Sequence, residues 1–95
     1  MKQLYIPYVG NFPAPLNIKG HKLIFAAREA EVIEDGLDML GADHLIEFVS
    51  ESESDEVERI SVLAEDCASG IVILPDKSPL EDVIRSLEQD LPWIH

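Results

Sequence analysis

The sequence predicts a small α/β domain, in two or three layers. A β-hairpin or edge strand leads into β-α-β-α-β-α with a mainly parallel four-stranded sheet. Three observations predict it. From residue 21 onward, β-rich apolar runs alternate with segments whose apolar residues recur every three and four positions. That is the pattern of a parallel sheet with right-handed crossovers. The run GIVILPD (70–76) is apolar without alternation, as in a strand covered on both faces. A length of 95 residues suits one domain, so 1–95 is read as a single unit: 1–20 the edge strand and hairpin, 21–95 the βαβαβα unit.

The elements follow in order. QLYIPYV (3–9) is aromatic and β-branched, and Pro7 pushes it toward a sheet edge or a bulge. GNFPAP reads as a loop because its two prolines cannot hold a ladder. LNIKGHKLIFAA (16–27) gives a short strand, a turn at Lys19-Gly20 and a strong strand. Ala30, Ile33, Leu37 and Leu40 then share a helical face that stops at Gly41, with Gly36 inside it costing about 1 kcal/mol against Ala. HLIEFVS (44–50) is a strand. The next helix starts in SESESDE, where Ser52 or Ser54 is the N-cap and Asp55 and Glu56 sit in the favourable first turn. Its apolar face is Val57, Ile60, Leu63, Ala64 and Cys67, and it stops near Gly70. Ser78-Pro79-Leu80-Glu81 offers a cap, an N1 proline and a capping-box acid for a last helix with Leu80, Val83, Ile84, Leu87 and Leu91 as its stripe.

Charge narrows the function. The net charge is −12, which argues against nucleic acid and anionic membranes as partners. Residues 1–28 carry Lys2, Lys19, Lys22 and Arg28 and no acid. The remainder carries all 19 acids against Arg59, Lys77 and Arg85. No apolar run reaches the ~18 residues of a membrane span, and the start, with Pro7 interrupting its apolar stretch, does not read as a signal peptide. One cysteine, Cys67, leaves no internal disulfide, and the compartment read from these features is a reduced cytoplasm.

Catalytic and cofactor motifs are missing from the chain. Neither phosphate-binding glycine pattern occurs, and no Ser sits in a nucleophile elbow. His21, His44 and His95 have no helical metal-site spacing and read as surface or edge residues. Cys67, on an apolar helix face, reads as an inert thiol rather than a nucleophile. Trp93, beyond Pro92, reads as packing of the tail on the domain. Ser50 and Ser52 each have an acid three residues on, a spacing compatible with phosphorylation. The chain is therefore read as a non-enzyme without a cofactor.

The acids remain to be explained. Glu31 with Asp35, and Glu34 with Asp38, are like-charge pairs four apart, each destabilising a helix by ~0.2–0.5 kcal/mol. Glu65 and Asp66 fall in a last helical turn, as Glu88 and Asp90 fall near the end of another, where the helix dipole disfavours anions. Only Asp55–Arg59 and Glu81–Arg85 are favourable pairs. Helix stability did not select these acids, and a general acidic bias fits poorly with 28 acid-free residues. Glu31, Glu34, Asp35, Asp38, Glu65 and Asp66 are thus read as the face that meets a basic protein partner, as in small inhibitors, immunity proteins or phage-type accessory proteins. Self-assembly is the companion reading, with Tyr5, Tyr8, Phe12, Lys19 and Lys22 docking on an acidic face of another copy. The alternative is a small-ligand or Mg²⁺ site at the strand ends, built from Asp76, Glu51 and Glu53. The plainer role for those last acids is to complement helix N-termini.

Overall fold

The computed structural model describes residues 2–74 and 79–89. The first strand spans Lys2–Val9 (β1). The stretch expected to be a loop holds a two-residue strand, Phe12–Pro13 (β2), and Leu16–Ile18 (β3) follows it. β3 turns back at Lys19 and Gly20 into His21–Ala26 (β4). Both turn residues have positive φ, 52° and 84°, the conformation that tight hairpins need to match strand twist. The Gly20 N–H donates to Asn17 Oδ1 at 3.0 Å. Beyond β4 come Ala30–Glu34 (α1), Leu37–Leu40 (α2), His44–Ser50 (β5), Glu53–Cys67 (α3), Gly70–Ile73 (β6) and Leu80–Gln89 (α4).

The expected four-stranded, mainly parallel sheet is not formed. Among the described residues the strands make two three-stranded sheets, ordered β2-β1-β5 and β3-β4-β6, and only β4 with β6 is a parallel pair. The N-terminal strand causes this. β1 pairs antiparallel with β5 from Lys2 to Tyr8 and meets β4 at one antiparallel bridge, Tyr5 with Ala27. It therefore stands between β4 and β5, two strands that run in the same direction. Pro7 limits the contact with β4. Tyr5 turns its N–H and C=O to Ala27, so Pro7, two residues on, faces the same side and has no N–H to extend that ladder. Its carbonyl instead accepts from the Ala14 N–H at 3.0 Å. Pro7 thus acts neither at an outer edge nor in a bulge, but at the seam between the sheets.

Side chains alternate across β4, which buries both its faces. Leu23, Phe25 and Ala27 join Ile33, Leu40, Leu80, Ile84 and Leu87 in one core. Ile24 and Ala26 join Leu4 and Ile6 in another, closed by Ile60, Leu63 and Cys67 of α3. The helices therefore form two layers, α3 on one face and α1, α2 and α4 on the other. β6 carries Ile71 into one core and Val72 into the other, but Gly70 and Ile73 are exposed. Among the described residues it is bonded to β4 alone, so the apolar run marks an edge strand whose two inner residues pack on opposite faces.

Two helices depart from the expected pattern. The single helix over 30–40 breaks at Asp35-Gly36 into α1 and α2. A Cβ at Gly36 would lie 2.3 Å from Leu80 Cδ2, so glycine here permits α4 to pack closely. Glu34 and Asp38 lie on either side of the break and are not neighbours on one regular helix. In α3 the buried face is turned by one residue. Val57 is exposed, and Glu56, 4% exposed, occupies the inward position ahead of Ile60, Leu63 and Cys67.

Candidate functional site: an acidic cleft between two helical segments

α1 leaves the carboxyl end of β4, and α4 begins beyond the end of β6, the parallel neighbour of β4. The region past the carboxyl ends of parallel strands is where open α/β sheets bind ligands. Here α1, α2 and the start of α4 enclose a cleft of about 390 Å³. Val32, Met39 and Leu80 contribute its apolar lining, and Glu31, Asp35 and Glu81 its carboxylates. Met39 is 49% exposed and gives the cleft a flexible, adaptable apolar side chain.

Glu31, Glu34, Asp35 and Asp38 are all exposed. Among the described residues the ion pairs are Arg28–Glu56, His44–Asp43 and Arg85 with Glu81 and Asp82, so none of the four has a cation in reach. Neither α1 nor α2 has a side-chain cap or a basic residue in its last turn. Glu31 and Asp38 stand in the first turns of their short helices, where the dipole favours an anion, whereas Glu34 and Asp35 stand at the carboxyl end of α1, where it does not.

The six acids read as one partner face are not brought together. Glu65 and Asp66 are exposed near the end of α3, which packs on the opposite side of the sheets. Asp66 instead lines a groove next to β5 that Asp55, Glu58 and Arg59 also line further along α3. The five residues proposed for self-association also separate. The Tyr5 hydroxyl donates to Glu47 Oε2 at 2.8 Å, a bond that, with the nearby carboxylate charge, raises its pKa. The Tyr8 ring lies against His44, with centroids 6.1 Å apart, and both tyrosines are half-buried. Phe12, 73% exposed, and the exposed Lys19 and Lys22 sit in the hairpins.

Of the proposed metal ligands, Glu51 is exposed in the β5–α3 connection and Glu53 is exposed at the start of α3, and Asp76 lies outside the described residues, as do Trp93 and His95. Among the described residues no three His, Cys, Asp or Glu side chains come together as a metal site would need. His21 and Cys67 are partly buried, the latter against the α3-side core. Ser50 is buried, and Ser52 is the N-cap of α3, its Oγ accepting from the Asp55 N–H at 3.2 Å.

One pair escaped sequence reasoning. Arg28, just past β4, grips the buried Glu56 in two bonds, Nη1 to Oε2 at 2.5 Å and Nη2 to Oε1 at 2.7 Å. The Arg28 hydrogen bond holds the Glu56 carboxyl below the ordinary carboxylate range, against the upward pull of burial. The signal was present: Glu56 stands four residues before Ile60 and seven before Leu63, so it shares their face. This fork ties α3 to the end of the sheet. Arg59, expected to pair with Asp55, donates instead to the Val49 carbonyl at 2.6 Å and lies over the Phe48 ring. The Glu81–Arg85 pair is formed, at 3.3 Å.

Among the described residues no helix is long and apolar enough to cross a membrane. Comparison with known proteins adds no relative: no family model, no curated protein and no solved structure matches the chain.

Proposed function

We propose that the chain is a non-enzymatic interaction module whose α1–α2 face, with the adjoining cleft, receives a basic protein partner. The supporting observation is the pairing of an apolar-lined cleft with a carboxylate rim in which Glu31 and Asp35 have no ion-pair partner among the described residues, while Glu81 is held by Arg85. Val32, Met39 and Leu80 offer area to bury, and Glu31, Asp35 and Glu81 set the sign of what enters. Such a surface steers a cationic partner and rejects anionic ones. Its natural occupant is a basic amphipathic segment, with apolar side chains on Met39 and Val32 and lysines or arginines at the rim.

The test uses a blocked amphipathic peptide of Lys and Leu at helical spacing, titrated by calorimetry over a NaCl series. Affinity falls as salt rises. The triple substitution E31Q/D35N/E81Q weakens binding roughly tenfold or more, at ~0.5 kcal/mol or above for each rim charge. Salt-independent binding, or full affinity in the triple variant, counts against this site.

A further inference from the structure

A second surface lies on the other side of the molecule, at β5. This strand has β1 as its neighbour on one side, and no strand among the described residues on the other. The register fixes which groups face outward. Tyr5 gives its N–H and C=O to Ala27, so its partner Glu47 belongs to a pair without mutual hydrogen bonds and turns its own backbone groups away from β1. By alternation Leu45 and Val49 do the same. The Val49 carbonyl is already taken, by Arg59 at 2.6 Å. Leu45 and Glu47 therefore present two N–H and two C=O groups to whatever lies alongside.

α3 runs beside this edge and shapes a groove of about 440 Å³ with it. Phe48 and Val62 supply apolar lining, and Asp55, Glu58 and Asp66 supply three carboxylates. Asp55 to Asp66 is eleven residues, or about 16 Å of helix, close to the length of a five-residue strand. Ile46 and Val62 are exposed on this face, and Val49 is exposed on the other face of β5. An exposed apolar edge strand invites a further strand.

We propose that β5 accepts an extended basic segment as an added strand, with its cationic side chains directed at the acids of α3. Charge selects this occupant over a second copy. An antiparallel β5–β5 pair has its two-fold axis normal to the sheet, which keeps both α3 helices on one side and sets their acid rows against each other. A basic strand meets the same row with attraction. Arg59 marks the end of the register, because its hold on Val49 confines pairing to Leu45 and Glu47.

The faces make the test specific. Leu45 packs on the core of α1, α2 and α4, and Phe48 on the core of α3. Incoming residues opposite Leu45 and Glu47 thus bond to β5 and point away from α3, while those between them point toward its acids. The probe is a blocked peptide of alternating Val and Lys, titrated into the ¹⁵N-labelled chain. Its lysines face α3, so its valines make the backbone bonds. The amides of Leu45 and Glu47 shift and gain exchange protection. N-methylation at the valines abolishes binding, and N-methylation at the lysines leaves it. E58Q/D66N, at two exposed positions, lowers affinity about tenfold. Equal effects of the two methylation patterns overturn the proposal, as does concentration-dependent pairing of the chain with itself at Leu45 and Glu47. Shifts confined to Val32, Asp35 and Met39 also overturn it while leaving the α1–α2 reading intact, and absence of shifts anywhere counts against both.

Discussion

The two helical layers use the same acidic residues in opposite ways. In α3 the early acids are built into the structure: Asp55 accepts from the Glu51 N–H, its own N–H goes to Ser52 Oγ, and Glu56 is clasped by Arg28. In α1 and α2, Glu31, Glu34, Asp35 and Asp38 have no ion-pair partner among the described residues, and their helices have no side-chain caps. An acid that stabilises its own helix needs no other explanation. An exposed acid without an ion-pair partner, even one that a helix dipole favours as at Glu31 and Asp38, keeps its charge available to a basic surface. The contrast locates the binding face more sharply than the net charge.

The contrast can be broken from either side. The largest effect comes from the α3 layer. Arg28→Ala strands a carboxylate that is 4% exposed and lowers stability by about 2–3 kcal/mol, somewhat under the cost of breaking a fully buried pair because Arg28 is partly exposed. The double variant Arg28→Met/Glu56→Leu recovers much of that loss in urea unfolding. The pH dependence has a definite sign. A carboxyl held below its unfolded value of 4.5 contributes stability that is complete above that pH and lost as pH falls through the folded value. The difference between wild type and Glu56→Gln therefore shrinks on acidification below about pH 4.5.

Next comes the joint in the other layer. Gly36→Ala drives a methyl group into the buried Leu80 side chain and costs about 2 kcal/mol, read as a lower urea midpoint. It separates α1–α2 from α4 and so weakens the cleft's affinity as well. Ser52→Ala removes the α3 cap and costs about 1 kcal/mol. At the small end, Glu34→Gln with Asp38→Asn changes stability by less than about 0.5 kcal/mol. A large loss in that variant would erase the difference between the layers.

Much of the local structure was legible. The strands at 3–9, 21–26 and 44–50, the Lys19-Gly20 turn and the stripe of α4 follow from alternation, turn chemistry and helical spacing. Strand order was not. Nothing in the residues of β1 states that it will stand between β4 and β5, since that choice is made by long-range pairing, and counting alternating strands and helices then gives the wrong sheet. The helical break at Gly36 was readable only as a propensity cost, because its reason, the approach of Leu80, lies 44 residues away. The inward face of α3 was misread by one position because an acid was assumed to point outward, and the arginine that makes it tolerable is 28 residues distant. For the site, the acids of α1 and α2 were picked out by their poor fit to one continuous helix; in the two short helices that form, Glu31 and Asp38 stand in favourable first turns, and the break parts Glu34 from Asp38. The same reasoning grouped Glu65 and Asp66 with them, which the two-layer arrangement separates.

A charge exchange tests the central claim most directly. Glu31→Lys/Asp35→Lys reverses the cleft's rim at two exposed positions and leaves the fold intact, as circular dichroism and the urea midpoint verify. Binding of the Lys/Leu amphipathic peptide is then lost, and a matched Glu/Leu peptide, which the wild type rejects, binds in its place. Unchanged affinity for the basic peptide in the reversed variant would contradict the assignment of the α1–α2 face as the partner surface.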